Sequence, residues 1–156
     1  MMKKTIPFIA LTLFAAALSC TAPSLQEQKT VKKQIKTAAA SDKSPFSQGI
    51  DVNGLVFLSG TLGVDAATGT LAGDDVVSQL TQIVANISEV LKEAGCSIND
   101  VVKTNVFLTN MQDYAAMNEA YLKLFQAPYP ARTCVEISAL PRAGAVIEVE
   151  IIAAKP

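Results

Sequence analysis

The sequence predicts an α+β fold in which one mixed β-sheet carries two helices on a single face. Two segments place apolar residues at spacings of three and four, as helices with one buried side do. Short β-branched or alternating runs surround them, which gives the order ββ-α-β-α-β-β. Because two helices cover only one face of a sheet, we expect the other face to be buried in an oligomer.

The two helices have recognisable ends. Asp74 is predicted to cap the first, which runs to about Ala94 and stops at Gly95. Its core-facing residues are predicted to be Val77, Leu80, Val84, Ile87 and Leu91. Asn110 is predicted to cap the second helix, from Met111 to Phe125, whose buried stripe is Tyr114, Met117, Tyr121 and Leu124. Pro128 and Pro130 then prevent its continuation.

The strands are predicted from alternation and turn residues. A hairpin over residues 46–59 turns at Asn53-Gly54, and a loop follows over residues 61–71. Further strands are predicted at 101–108, 132–139 and 146–153. In the last strand Ile147, Val149 and Ile151 alternate with Glu148 and Glu150, so both glutamates point away from the core.

The N-terminus has the layout of a secretory signal peptide over residues 1–20. Two lysines precede an apolar run, Ile6 to Leu18, that is too short to span a bilayer, and small residues lead to Cys20. Cys20 is similarly placed to the cysteine of a bacterial lipobox, which predicts a lipidated protein of the cell envelope. Plain secretion and a buried N-terminal helix are the alternatives.

Residues 21–37 are predicted to be a flexible basic tether and residues 38–156 the folded domain. The tether is interpreted as a solvated linker, with a weak contact to an anionic membrane as the alternative. Residues 1–37 carry six lysines and one glutamate, whereas residues 38–156 carry seven cationic and thirteen anionic side chains. An acidic domain argues against nucleic-acid binding, which needs a basic face.

The chain contains no histidine, which excludes Ser-His and Cys-His catalysis and argues against a zinc site. Acid–base chemistry would have to come from Asp, Glu, Tyr, Lys or a thiol. Cys96 and Cys134 are predicted to be buried thiols rather than a disulfide. We find no dinucleotide fingerprint or phosphate loop, so no cofactor and no metal are expected.

Three features are candidates for a functional site, but each of them, taken alone, is more often purely structural. Arg132 at a strand start is usually exposed or ion-paired, although its guanidinium suits a planar carboxylate. Glu148 and Glu150 would usually be a solvated or ion-paired face, with the orientation of a water molecule as the functional alternative. Cys134 would usually be a small buried hydrophobe.

Several short motifs occur in an order that resembles the RidA/YjgF family. Residues 130–136 (PARTCVE) and 146–153 (VIEVEIIA) are the strongest. Others are Ser47-Gln48-Gly49, Leu58-Ser59-Gly60, residues 101–108 and Asn118-Glu119-Ala120-Tyr121. The resemblance covers residues 38–156 and implies a chorismate-mutase-like fold assembled as a homotrimer. Three sheets would form a central barrel, with sites at the subunit interfaces.

The resemblance also implies hydrolysis of 2-imino acids, in equilibrium with 2-enamino acids, to 2-oxo acids and ammonia. Such imines are released by pyridoxal-phosphate dehydratases. Arg132 would bind the substrate carboxylate, backbone groups of Cys134 would contact the imine or the water, and Glu148 would activate that water. Asn118, Ser59, Gly60 and Phe46 would line the pocket. No cofactor is implied.

This chain departs from the family pattern at two places. Phe46 stands where a tyrosine is frequent, so one polar contact to substrate is in doubt. The stretch from Pro141 to Glu148 is one residue longer, and the extra residue is expected in the turn near Ala143-Gly144. A ligand-binding or chaperone-like module without catalysis is the alternative function, and RNA cleavage is a third.

Overall fold

A computed structural model describes residues 30–156 as one six-stranded sheet with two α-helices. The strands are β1 (Lys33–Ile35), β2 (Gly49–Val52), β3 (Leu55–Leu62), β4 (Val101–Leu108), β5 (Ala131–Glu136) and β6 (Ile147–Ala154). The helices are α1 (Val76–Glu93) and α2 (Tyr114–Leu124). The predicted signal peptide, Cys20 and most of the predicted tether lie outside the described residues. None of the helices within residues 30–156 combines the length and the hydrophobicity that a bilayer span requires.

The sheet order is β1-β2-β3-β6-β4-β5, with β4 and β5 parallel and all other neighbours antiparallel. Helix α1 packs on β3 and β6, and α2 packs against α1, so both helices cover the same face as predicted. The inward residues of β6, Ile147, Val149 and Ile151, are almost completely buried. The α+β class and the order of the predicted elements are therefore confirmed.

The folded domain begins before the predicted boundary at residue 38. Strand β1 pairs with β2, with Lys33 opposite Asp51, and Ile35 is 4% exposed within the core. The prediction of a flexible tether as far as residue 37 is therefore wrong at its C-terminal end. A three-residue strand with one buried side chain among lysines has too little alternation to be recognised from sequence.

Helix α1 begins at the residue after Asp75, not after Asp74. The Asp75 side chain accepts hydrogen bonds from the backbone N–H groups of Val77 and Ser78, each at 2.9 Å. Val77 is consequently 43% exposed, and Val76 is buried in its place. The helix ends as predicted, with Gly95 at a φ of 74°.

The second helix is shorter than predicted. Asn110 caps a 3-10 turn over Met111–Asp113, and α2 starts only at Tyr114, which is 40% exposed. Strand β5 ends at Glu136 rather than at residue 139. Cys96 is buried, whereas Cys134 is only half-buried, and both are free thiols.

The face of the sheet opposite the helices is open in the single chain. It presents Leu55, Phe57 and Val135, each about 40% exposed, next to Asn105, Glu148 and Glu150. We refer to this surface as the open face. Its mixture of exposed apolar and polar side chains is typical of a surface that is covered by another chain.

Candidate active site

Arg132 lies at the start of β5 and points towards α2. One guanidinium nitrogen donates to Asn118 Oδ1 at 2.6 Å, and the guanidinium carbon lies 4.6 Å from the centre of the Tyr121 ring. Among the described residues, no carboxylate forms a salt bridge with Arg132. The guanidinium is therefore held in place by neutral groups and retains donors for an anionic ligand.

Tyr121 supports Arg132 from inside the protein. Its ring stacks on Phe125 with centroids 4.1 Å apart, and its hydroxyl shares a 3.0 Å hydrogen bond with buried Thr104. Burial raises the pKa of the Tyr121 hydroxyl, so this group stays neutral beside the cation. Arginine, tyrosine and phenylalanine thus form one continuous stack, which fixes the guanidinium plane.

Cys134 follows Arg132 on the same face of β5 because alternate residues of a strand share a face. Burial raises the pKa of its thiol, an effect that the Arg132 charge only partly counteracts. Cys134 is therefore a thiol and a weak nucleophile near neutral pH. Strand β5 is an edge strand, so part of its backbone is free to bind a ligand. We call Asn118, Tyr121, Arg132 and Cys134 the arginine half-site.

Glu148 lies on the open face, at the start of β6 and directly over Gly60. A Cβ atom at Gly60 would overlap Glu148 Oε1 and lie 2.8 Å from its carboxyl carbon, so only glycine leaves room for this carboxylate. The pairing of β3 with β6 shifts between Leu58 and Thr61, which places a β-bulge at Ser59-Gly60. Bulges of this kind re-aim side chains and are frequent next to active sites.

Two causes raise the pKa of Glu148. Burial against the strand surface is the larger, and the neighbouring Glu150 charge adds to it. Glu150 accepts a 2.6 Å hydrogen bond from the Asn105 side chain, which fixes it beside Glu148. A carboxylate with a raised pKa is a stronger base than an exposed one, as proton abstraction from water requires.

The segment before β2 reaches the same region. Ser59 Oγ donates to the Ser47 carbonyl at 2.7 Å, and the Ser59 N–H donates to the Gln48 carbonyl at 3.0 Å. Phe46 precedes this clamp and is 62% exposed. We call Phe46, Ser59, Gly60 and Glu148 the glutamate half-site.

The extra residue predicted before Glu148 does not disturb the strand. Residues 142–145 form a turn, closed by a 3.1 Å bond from the Ala145 N–H to the Arg142 carbonyl, with Gly144 at a φ of 82°. Strand β6 then begins with Ile147 inward and Glu148 outward. Glu148 therefore shares the face of Ser59 and Gly60, the orientation that the predicted role requires.

The two half-sites lie on opposite faces of the sheet within one chain. Arg132 is in register with Thr104, which is buried under the helices, whereas Glu148 is in register with Phe107 on the open face. The seven predicted site residues therefore fall into two groups that a single chain does not bring together. Sequence reasoning assigned Tyr121 only to the core and gave no role to Thr104 or Asn105.

No group of three or more Asp, Glu or Cys side chains within residues 30–156 is arranged to hold a metal ion. The fold and these contacts define a small α+β protein whose arginine half-site can accept an anionic ligand and whose Glu148 carboxylate can act as a base. The Arg132 guanidinium and the Glu148 carboxylate are both carried by strands, which hold side chains more rigidly than loops do.

Comparison with known proteins identifies the family. The family model described as Endoribonuclease L-PSP matches residues 31–155. The 2-iminobutanoate/2-iminopropanoate deaminase of Mus musculus is 40% identical over 124 residues, which are 79% of this chain and 91% of that protein. The chloroplastic Reactive Intermediate Deaminase A of Arabidopsis thaliana is 39% identical over 138 residues, covering 88% and 71%.

A solved structure gives the same result. The crystal structure of E. coli TdcF with bound serine has 35% sequence identity and a TM-score of 0.72, and the match covers 80% of this chain and 99% of that one. The chain belongs to the RidA/YjgF family.

Proposed function

We propose that this protein hydrolyses 2-imino acids, and the 2-enamino acids in equilibrium with them, to 2-oxo acids and ammonia. The observation that carries the proposal is the Arg132 guanidinium, which Asn118 and Tyr121 hold in place and which forms no salt bridge with a carboxylate of residues 30–156. Its planar fork matches the carboxylate that every 2-imino acid has. Relatives at about 40% identity that are named 2-iminobutanoate/2-iminopropanoate deaminases support this substrate class.

The chemistry requires little beyond positioning and one base. Glu148 takes a proton from a water molecule whose oxygen attacks C2 of the imine, and it returns this proton to the imine nitrogen, which becomes the amino group of a carbinolamine. Glu148 then moves the hydroxyl proton of the carbinolamine to that amino group, the C2–N bond breaks to release ammonia, and the C2–O bond becomes the new carbonyl. Imines are already electrophilic, so proximity and a carboxylate base are sufficient catalysts.

We infer that the site is completed by a second copy of the chain, in a homotrimer. The arginine half-site and the glutamate half-site lie on opposite faces of one sheet, so one chain supplies each half to a different site. The exposed apolar residues of the open face favour contact with identical chains through a closed ring. Sedimentation of the purified protein tests the trimer, and a monomer at micromolar concentration would contradict it.

The direct test of the activity is release of 2-oxobutanoate from 2-iminobutanoate. A threonine dehydratase generates the imine in situ, and semicarbazide competes for it. We expect the protein to reduce the initial rate of semicarbazone formation, because imine that it hydrolyses is no longer available to semicarbazide, and we expect the Arg132→Ala protein to have no such effect. A folded trimer with no effect would favour the alternative, a ligand-binding or chaperone-like module.

RNA cleavage is the third candidate because the matching family model is described as an endoribonuclease. The chain has no histidine, and residues 38–156 carry an excess of acidic side chains. Both features weigh against phosphodiester chemistry and against binding a polyanion. Incubation with single-stranded RNA is therefore expected to leave it intact.

Gly60→Ala is expected to lower kcat about 10-fold with little loss of stability. The added methyl group occupies the position of the Glu148 carboxylate, and this flexible side chain can rotate away without backbone movement. Steady-state kinetics and a thermal melt of the same sample check both parts. An active Gly60→Ala protein would show that Glu148 works from another position.

As the pH is lowered, kcat is expected to fall, and this fall should occur at a higher pH than it would for a glutamate with an ordinary pKa. Glu148 must be ionised to act as a base, and its pKa is raised by burial and by Glu150. Protonation as the pH drops through this raised pKa removes the base. Glu150→Gln should move the fall to lower pH, because it removes the like charge. A pH profile of kcat for both proteins makes the comparison, and an unmoved profile would contradict it.

We also propose that the protein is exported and held in the cell envelope by a lipid on Cys20. The apolar run and the small residues before Cys20 support this. Cys20→Ala is expected to abolish incorporation of a fatty-acid probe and release the protein from membranes. Cys96→Ala should incorporate the probe normally, and unchanged labelling of Cys20→Ala would reject the anchor.

A further inference from the structure

Gln79 is a polar residue that is completely buried in α1. Its side-chain nitrogen donates to the Gly144 carbonyl at 2.9 Å and to the Gly73 carbonyl at 3.1 Å. Its side-chain oxygen accepts from the Val146 N–H at 2.9 Å. The two N–H donors and the oxygen of this amide are thus all hydrogen-bonded. They join the loop before α1 to the segment before β6.

These bonds act on the chain immediately before Glu148. Val146 lies two residues before Glu148, and its carbonyl also accepts from the Thr109 N–H at 3.1 Å. Gln79 therefore fixes the residue at which the long turn ends and β6 begins. A one-residue slip at this point would turn Glu148 towards the core, since side chains alternate along a strand.

Helix α1 also contacts the end of β3, where β3 pairs with β6 beside Glu148. A Cβ at Gly63 would lie 2.6 Å from the Gln79 carbonyl oxygen, so glycine allows α1 to approach the end of β3 closely. Asn86 donates to the Leu62 carbonyl at 3.1 Å and to the Val64 carbonyl at 2.9 Å. Leu62 is in register with Glu148. Two α1 amides thus hold the strands where they place Glu148 over Gly60.

We propose that Gln79 is a positioning residue that aims the Glu148 carboxylate over Gly60 by fixing the start of β6. The kinetic consequence rests on the proposed deaminase function, whereas the geometric consequence does not. A purely structural role for Gln79 predicts lower stability with an unchanged Glu148. A positioning role predicts a displaced Glu148 and an effect on catalysis rather than on substrate binding.

Gln79→Met tests the proposal because methionine matches the length of glutamine but makes none of the three bonds. We expect kcat to fall about 10- to 100-fold, as misplacement of a reacting group by about 1 Å does. KM should change less than about twofold, because the arginine half-site is on the other face of the sheet. Gln79→Glu keeps the acceptor for the Val146 N–H, and its buried carboxyl group, in the protonated form, keeps one donor for the Gly73 or Gly144 carbonyl, so it should lose less activity and is the second variant if Gln79→Met does not fold.

Ser97→Ala is the matched control for stability. Ser97 forms a capping box with Asp100 at a 3-10 turn that contacts neither half-site, so its loss should lower stability and leave kcat unchanged. If Ser97→Ala and the Gln79 variants melt at similar temperatures, a difference in kcat between them is due to the position of Glu148 and not to lower stability. A Gln79 variant with normal kcat would overturn the proposal.

A crystal structure of Gln79→Glu or Gln79→Met separates this proposal from the proposed function. We expect the Glu148 carboxylate to leave its place over Gly60, whether or not the wild-type protein hydrolyses imines. A displaced Glu148 together with an inactive wild-type protein would refute the deaminase and retain the positioning role. An unmoved Glu148 would refute the positioning role whatever the activity.

Discussion

Arg132→Ala is expected to lower kcat/KM for 2-iminobutanoate by about 100-fold or more. Two charge-assisted hydrogen bonds to a carboxylate are together worth about 3 kcal/mol, which corresponds to that factor. Most of the loss should appear in KM, because the carboxylate is bound equally in the ground and transition states. The remainder should appear in kcat, because a substrate that is held at one end only is poorly oriented.

Arg142→Ala is the matched control. Arg142 is the other arginine of residues 30–156, is exposed and donates to the Gly69 carbonyl in a surface loop. Its removal should leave kcat/KM unchanged. Arg132→Lys keeps the charge but loses the planar fork, so intermediate activity would show that geometry contributes beyond charge. A fully active, folded Arg132→Ala protein would refute the carboxylate-binding role.

Glu148→Gln is expected to lower kcat by about 100-fold or more and to leave KM nearly unchanged. Glutamine has the size of glutamate and fits over Gly60, but it does not accept a proton from water at neutral pH. Because the backbone of β6 is unaffected, sedimentation should show the same assembly as the wild-type protein. The measurement is steady-state deamination at a pH above the acidic fall.

Glu150→Gln provides the comparison on the same strand and the same face. The Glu150 carboxylate is bound by the Asn105 side chain and does not lie over Gly60. Replacing Glu150 should therefore change the pH profile and leave the plateau rate close to that of the wild type. Equal losses for Glu148→Gln and Glu150→Gln would mean that the strand's negative charge matters and that neither carboxylate is a specific base.

Most of the fold could be predicted because it depends on local pattern. Alternation in residues 146–153 placed Ile147, Val149 and Ile151 inward, and Asn53-Gly54 marked the hairpin; both predictions are confirmed. The ends of elements were less accurate. Asp74 and Asp75 are equally good caps by type, and only the packed structure shows that Asp75 accepts the bonds.

The candidate site residues came from the resemblance to a family, which also implied sites between subunits, and their roles stay predictions. The structure adds that the sheet separates Arg132 from Gly60 and Glu148 within one chain. Gln79 left a weak signal, a polar residue beside Leu80 on the buried side of an amphipathic helix. Its partners Gly73, Gly144 and Val146 are brought together only by the tertiary fold, so their role could not be read from the sequence.

The division of the site between two faces has a consequence for how activity would depend on concentration. In the proposed assembly a lone subunit carries a complete set of catalytic side chains but no complete catalytic centre. Dilution below the dissociation constant of the oligomer would therefore switch the protein off without unfolding it. Co-assembly of Arg132→Ala with Glu148→Gln subunits would, by the same logic, regenerate intact centres from two individually inactive chains.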